Sequence, residues 1–207
     1  EFKISWHGKT TYSTDDKTGV TTFVYKNSEA NGSDSERTEM GWYLEEPITN
    51  SEGPVIVSYD FQFNDALKNT VNGDGMNAYV ANANANAALT HRRVARVGDM
   101  TDWSTYIIPS TETELSSGVT DEDAWHTIKY IMNVDNGKIT HSYVQLDDAL
   151  PVDISPLKVS VNNIGLLQFR FYSYPDEEGV YRDYILRVKN VSVKSLGALK
   201  GEVKVNS

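Results

Sequence analysis

Large apolar and polar side chains alternate at every second residue in several parts of this chain, and this spacing constrains the fold more than any other feature. Residues 55–63, VIVSYDFQF, end with a tyrosine and two phenylalanines set against Ser58, Asp60 and Gln62. Successive side chains of an extended strand point to opposite faces, so this segment has one buried and one exposed face. No long window carries apolar residues at helical spacing. The chain is therefore expected to be all-β.

Turn residues separate the alternating segments. Asn136 and Gly137 stand between residues 125–134 and 138–146. Because Asn-Gly suits the positive φ angles of a two-residue turn, these segments are predicted to form a β-hairpin. A second turn is predicted at residues 72–75, NGDG.

Two more strands are predicted near the end of the chain, at residues 166–174 and 184–193. Many short strands with turns between them are typical of a sandwich. We therefore predict an all-β fold, a two-sheet antiparallel β-sandwich of the jelly-roll type. Residues 1–196 are expected to form a single domain, and residues 197–207 a tail or the start of a linker.

Acidic residues outnumber basic ones, 29 against 19, so the formal net charge is −10. Binding to a phosphate backbone or to anionic lipid depends on clustered positive charge, so we expect no nucleic-acid partner and no membrane insertion. The absence of cysteine excludes disulfides and thiol nucleophiles but leaves the compartment open. No phosphate-binding loop, serine nucleophile elbow or zinc-protease motif occurs.

Two parts of the sequence resemble known carbohydrate-binding folds. Residues 125–135, WHTIKYIMNVD, with 143–147, YVQLD, resemble a strand pair of concanavalin-like jelly rolls. Residues 184–193, YILRVKNVSV, resemble the closing strand of many bacterial carbohydrate-binding modules. The resemblance implies a lectin-like module that binds a polysaccharide or oligosaccharide. It speaks mainly for the fold, because one fold hosts many functions.

One position departs from that resemblance. In many such modules an aspartate directly precedes the asparagine of the closing strand and helps to ligate structural calcium, whereas Lys189 stands here. An ammonium group repels a cation, so we expect no cofactor and no metal, with structural calcium disfavoured. Calcium held elsewhere, by Asp15, Asp16, Asp74 or Asp123, stays open as an alternative to plain solvated loops.

The segment 168–174, QFRFYSY, is the first candidate site. Strand alternation puts Phe169 and Phe171 on the core side and, on the other face, Gln168, Arg170, Tyr172 and Tyr174. Aromatic faces cover the C–H patches of a pyranose, while amide and guanidinium groups bond its hydroxyls or carboxylate. The alternative is an ordinary solvent face that happens to be aromatic.

Arg37 belongs to a second candidate, residues 35–43, SERTEMGWY, in which Met40 and Trp42 are expected to point inward. The Arg-Thr-Glu run resembles a motif of jelly-roll alginate lyases, in which an arginine neutralises the uronate carboxylate. Their Gln-x-His and Tyr-x-Lys-Ala-Gly motifs are not recognisable here. A plain ion pair between Arg37 and Glu39 is the simpler reading.

Two further candidates lie in the middle of the chain. Trp103, in a predicted loop that runs on to Tyr106, is a sugar-stacking candidate if exposed, although tryptophan is more often buried. His91-Arg92-Arg93 with Arg96 is a dense basic cluster that suits an anionic sugar, although a solvated strand or loop that balances Asp99 and Asp102 is the favoured interpretation.

These observations favour a non-catalytic carbohydrate-binding module that recognises a polysaccharide, with acidic sugars among the expected ligands. The expected ligand-binding residues are Arg37, Trp103, Gln168, Arg170, Tyr172 and Tyr174, with no catalytic residues. The module is expected in a secreted or cell-surface glycan-degrading protein, attached to other domains. One alternative is a polysaccharide lyase that cleaves a uronate polymer by β-elimination, with Arg37 and Arg170 as neutralising groups. Another is a surface adhesin or structural sandwich domain.

Overall fold

The structure, a computed structural model, describes residues 2–6, 9–32, 38–64, 66, 75–81, 88–94, 104–108, 113–114, 124–153, 163–176 and 178–197. Their strands are β1 (Phe2–Trp6), β2 (Thr10–Asp15), β3 (Val20–Tyr25), β4 (Thr38–Ile48), β5 (Val55–Phe63), β6 (Met76–Ala81), β7 (Ala88–Val94), β8 (Ser104–Ile108), β9 (Thr113–Glu114), β10 (His126–Asp135), β11 (Lys138–Leu146), β12 (Val152–Asp153), β13 (Ile164–Phe171) and β14 (Tyr184–Ser195). A four-residue helix, α1 (Asn27–Ala30), follows β3.

Within the described ranges the strands form two antiparallel sheets of seven. Sheet A has the order β1-β4-β13-β6-β7-β8-β9, and sheet B has the order β12-β11-β10-β5-β14-β3-β2. The predicted all-β, two-sheet antiparallel sandwich is confirmed. Sequence neighbours such as β4 and β5 lie in different sheets, so the sandwich cannot be a simple up-and-down meander.

Aromatic side chains from the two sheets meet in the core. Phe169 of sheet A lies between Phe23 and Tyr59 of sheet B, with ring centroids 5.9 and 5.4 Å away. Trp42 of sheet A meets the ring of Phe23 edge-on at 5.5 Å. Full burial of each large apolar side chain contributes about 1.5–3 kcal/mol. The inward positions predicted for Phe169, Phe171, Met40 and Trp42 are confirmed by their burial.

The β10–β11 hairpin forms where it was predicted. Asn136 and Gly137 have φ angles of 46° and 72°, while Asp135 pairs with Lys138 across the turn. Two successive residues with positive φ give a turn whose twist matches that of the flanking strands.

The strand predicted for residues 166–174 is too long. β13 ends at Phe171. One residue later, the Tyr172 N–H still donates to the carbonyl of Gly75, the residue before β6, at 3.0 Å. The Tyr174 carbonyl accepts instead from the Asn27 amide and the Tyr184 hydroxyl. These side-chain donors take the place of a neighbouring strand, so the chain leaves the sheet.

The closing strand is longer than predicted and reaches Ser195. Its pairing with β5 shifts between Lys189 and Ser192, where Asn190 adopts a φ of 53°. An extra residue with left-handed conformation is the signature of a β-bulge, which the alternation pattern did not reveal.

No helix in the part of the chain that the structure describes is long and apolar enough to cross a membrane. The two sheets share one hydrophobic core. The predicted domain limit at residue 196 stays a prediction. Residues 198–207, and residues 72–74 of the predicted turn at 72–75, lie outside the described residues.

Candidate functional site

The outer faces of the two sheets differ in how deeply they are covered. In the central strand β5 of sheet B, buried and half-buried residues alternate, so its outer positions are partly open to solvent. In β13 of sheet A the outer positions Leu166 and Gln168 are each only 6% exposed. A polar amide this little exposed on an outward position is covered by neighbouring groups and does not lie on a flat solvent face; we call this covered surface around Gln168 the recess. The outer face of sheet A along β13 is therefore the candidate site.

Gln168 and Arg170 form the described centre of this recess. Arg170 Nε donates to Gln168 Oε1 at 3.3 Å, and Arg170 is half-buried. The contact orients both side chains, because the guanidinium and the amide are planar groups with fixed donor and acceptor directions. The structure thus places two of the predicted site residues together, as strand alternation required.

Gly41 stands beside Gln168 on β4. A Cβ at this position would overlap the Leu167 carbonyl oxygen and lie 2.6 Å from the Gln168 Cα. The two strands can approach this closely only because residue 41 has no side chain. The floor of the recess next to Gln168 therefore consists of backbone.

Strand register brings further polar residues into line with Arg170. Arg170 pairs with Glu39 on one side and with Asn77 on the other. The pairing continues from Asn77 to Arg92, from Arg92 to Tyr106 and from Tyr106 to Glu114. We call this set the Arg170 row: Glu39, Arg170, Asn77, Arg92, Tyr106 and Glu114. With neighbouring strands ~4.8 Å apart, its six strands span roughly 24 Å.

Register also divides the basic cluster of β7. Arg92 belongs to the Arg170 row, whereas His91 pairs with Ala78, which is fully buried. Of the cluster, Arg92 is thus the residue that stands in register with Arg170.

Tyr172 and Tyr174 lie beyond the end of β13, so the alternation argument that grouped them with Gln168 and Arg170 does not reach them. Both are half-buried. They remain within reach of Arg170 along the chain, since the two residues to Tyr172 span about 7 Å at most and the four residues to Tyr174 about 14 Å. Their binding roles stay predictions.

Arg37 and Trp103, the other two predicted site residues, lie outside the described residues. Tyr106, placed in a loop by the sequence analysis, is instead part of strand β8. The loop was predicted from the turn-forming Gly and Asp residues before Trp103, whereas strand β8 begins directly after Trp103, at Ser104.

Sequence reasoning missed Asn77 and Tyr106 as candidates. The signal for Asn77 was available, because Met76, Ala78 and Val80 alternate with polar or aromatic residues and are buried. The alignment of both residues with Arg170 depends on which strands are neighbours, and that information is not local in the sequence.

Lys189, which replaced the expected calcium ligand, has a different partner. Its Nζ lies 4.0 Å from the centroid of the Trp125 ring. Nearby, both oxygens of Asp60 accept hydrogen bonds, from Thr127 at 2.7 Å and from Asn190 at 2.6 Å. In the described ranges no group of three or more His, Asp or Glu side chains is arranged to hold a metal ion. The expectation of no structural calcium stays a prediction.

Comparison with solved structures supports the fold. A double mutant of alginate lyase Aly36B in complex with an alginate tetrasaccharide has a TM-score of 0.53 at 8% identity, covering 90% of this chain and 84% of the lyase. A carbohydrate esterase from Shiga toxin-encoding bacteriophage phi24B has a TM-score of 0.51 at 12% identity, covering 91% and 88%. The Lotus tetragonolobus seed lectin has a TM-score of 0.50 at 10% identity, covering 92% and 94%.

No protein-family model matches the sequence, and no curated protein matches it either. At these identities the structural likeness establishes the architecture and not the activity. The predicted resemblance to jelly-roll carbohydrate-binding and polysaccharide-lyase folds is confirmed at the level of the fold.

Proposed function

We propose that this domain binds a polysaccharide across the outer face of sheet A, as a non-catalytic module of a secreted or cell-surface glycan-degrading protein. The observation that carries the proposal is the recessed Gln168–Arg170 pair, with the amide 6% exposed on an outward strand position. An amide and a guanidinium offer hydrogen-bond donors and an acceptor that complement the hydroxyl groups of a saccharide.

The Arg170 row gives the proposed site its direction. A ligand that follows the row crosses the strands and passes one polar or aromatic residue of the row on each strand. At a strand spacing of ~4.8 Å, the row is roughly 24 Å long. That length suits an oligosaccharide segment of a longer chain rather than a single sugar. Two proteins with the same architecture are an alginate lyase, whose structure contains an alginate tetrasaccharide, and a seed lectin.

Acidic sugars are the favoured ligands. The row has two arginines, Arg170 and Arg92, at inner positions and two glutamates, Glu39 and Glu114, at its ends, in a protein with a net charge of −10. A guanidinium binds a carboxylate through paired hydrogen bonds, which a neutral sugar cannot match. Because the rest of the protein is acidic, attraction to an anionic polymer depends on these two arginines, and binding should weaken with added salt.

Affinity electrophoresis and calorimetry against a panel of neutral and uronate polysaccharides test the proposal. Arg170→Ala should weaken binding about tenfold to hundredfold, the effect of losing a charged hydrogen bond of about 1.5–3 kcal/mol. Arg187→Ala is the matched control, because Arg187 also donates to a glutamine, Gln62 Oε1 at 3.0 Å, but is exposed on the outer face of sheet B.

Equal loss of affinity in the two variants would mean that the ligand binds elsewhere or that net charge alone accounts for the loss. If no glycan retards the wild-type chain, binding is refuted and the reading as an adhesin or structural domain takes its place. Calcium-dependent binding would contradict the expectation drawn from Lys189.

Lyase activity is the second candidate, favoured by one observation. Elimination from a uronate requires a neutralised carboxylate, a base for the C5 proton and an acid for the leaving oxygen. The row aligns Arg170, Asn77 and Arg92 with Tyr106, so it contains both neutralising and proton-transferring residue types.

Ultraviolet absorbance of the unsaturated product separates the two functions. Product formed by the wild type and lost in Tyr106→Phe, Tyr172→Phe or Tyr174→Phe would establish the lyase and identify its tyrosine. A variant with unchanged glycan affinity but no product would assign that hydroxyl to chemistry rather than binding. No product from any uronate polymer supports the binding module.

A further inference from the structure

The described residues of the connection between β13 and β14, 172–176 and 178–183, include three that bond to helix α1: Tyr174, Arg182 and Asp183. Asn27, the first residue of α1, is fully buried. Its Nδ2 donates to two backbone carbonyls of the connection, Tyr174 at 2.8 Å and Arg182 at 3.1 Å. One side chain thus joins the start of the connection to its end.

The acceptor of the same amide is used as well. Ser173 Oγ donates to Asn27 Oδ1 at 2.7 Å and accepts from the Gly32 N–H at 2.8 Å. The Tyr184 hydroxyl donates to the Tyr174 carbonyl at 2.9 Å. Residues 173 and 174 are therefore held from the helix, from the turn after it and from β14, although they belong to no strand.

A second contact fixes α1 to the end of the connection. Asp183 accepts from the Ser28 backbone N–H at 3.1 Å and from its hydroxyl at 2.6 Å. The other carboxylate oxygen accepts from Lys26 Nζ at 3.0 Å. The helix is too short to be stable alone, so these contacts and those of Asn27 define its position.

We propose that Asn27 is the positioning residue of the glycan site: it holds Tyr174 in place beyond the end of β13, the strand that carries Arg170. This inference rests on the proposed function, because it assigns that tyrosine to the ligand. Tyr172 still donates to the Gly75 carbonyl beside β6, whereas Ser173 and Tyr174 are held by Asn27 and Tyr184, which lie outside sheet A. Preorganised side chains bind a ligand more tightly, because their conformational entropy is lost before the ligand arrives.

Asn64 provides a matched control. Its amide also bridges backbone groups, since Oδ1 accepts from the Ile185 N–H and Nδ2 donates to the Asp183 carbonyl, both at 3.0 Å. These contacts hold the start of β14 rather than residues 173 and 174. Asn64→Ala therefore removes a comparable amide close to the same connection without releasing Tyr174.

The experiment compares Asn27→Ala with Asn64→Ala in glycan affinity, thermal stability and amide hydrogen exchange. Both variants should lower the melting temperature. Asn27→Ala should also weaken glycan binding at least about tenfold more than Asn64→Ala, the size of one or two lost positioning hydrogen bonds. The Tyr174 and Asp176 N–H groups donate to the Tyr184 hydroxyl and the Val180 carbonyl. Amide exchange at these two residues should speed up in Asn27→Ala and be less affected in Asn64→Ala.

Losses of affinity that follow stability equally in both variants would overturn the inference and leave Asn27 a structural residue. If Asn27→Ala does not fold, Ser173→Ala decides the matter, because it removes the second link to residues 173 and 174. If the wild type binds no glycan, the proposed function fails, while the exchange data still show whether Asn27 holds the connection.

Discussion

Replacing Gly41 by alanine should separate β4 from β13 at the centre of the proposed site. The new Cβ would overlap the Leu167 carbonyl oxygen and lie 2.6 Å from the Gln168 Cα, both backbone atoms that cannot rotate away. Reaching an ordinary contact of 3.4 Å requires that Cα to recede by about 0.8 Å. Such a shift stretches the neighbouring ladder hydrogen bonds beyond their useful range.

The expected cost combines two effects. Overpacking alone costs typically 1–3 kcal/mol, and each buried backbone group left without its partner costs about 1–3 kcal/mol. Gly41→Ala should therefore destabilise the fold by roughly 2–6 kcal/mol. In a domain of this size the melting temperature should fall by roughly 4–24 °C, at about 2–4 °C per kcal/mol.

Thermal and urea unfolding measure the effect, with Gly197→Ala as control. A Cβ at Gly197 would meet nothing within 4 Å, so that variant should unfold like the wild type. Gly165→Ala should lie between the two, because its Cβ would meet the Pro47 side chain at 2.9 Å rather than backbone. Equal stability of Gly41→Ala and Gly197→Ala would refute the close approach of the two strands.

Three other outcomes are expected. Phe169→Ala should cost about 3–5 kcal/mol in urea unfolding, because the ring is fully buried between the sheets; a loss below that of a typical surface change would contradict its central position. Gly137→Ala, at a φ of 72°, should cost about 1 kcal/mol and leave glycan affinity unchanged, since the hairpin turn lies in sheet B. Burial raises the pKa of Asp183, but hydrogen bonds from Ser28 and Lys26 outweigh it and leave that pKa below its ordinary value. The ionised carboxylate therefore stabilises the fold fully above the unfolded pKa of about 3.9, and this stabilisation is lost as the pH falls through the lower folded pKa. Acid unfolding of Asp183→Asn should depend less on pH in this window. An acid unfolding profile equal to that of the wild type would refute the contribution.

Local patterns were sufficient for the fold class. Alternation in residues 55–63 identified strand β5 and its buried face, and Asn136-Gly137 identified the hairpin turn. Both signals are local, because the two-residue repeat of a strand and the φ preference of a turn belong to short segments. The inward positions of Phe169 and Trp42 followed from the same rule.

The candidate site required the arrangement of strands in space. Alternation paired Gln168 with Arg170, but it also extended the predicted strand to Tyr174. The Tyr174 carbonyl accepts hydrogen bonds from Tyr184 and from Asn27, which is 147 residues away, and a local pattern does not contain these contacts. Nothing near Asn77, Arg92 or Tyr106 indicates that they line up with Arg170, since the order of strands in a sheet arises from packing of the whole core. Short-range repetition thus specified which residues face outward, and long-range pairing selected which of them meet.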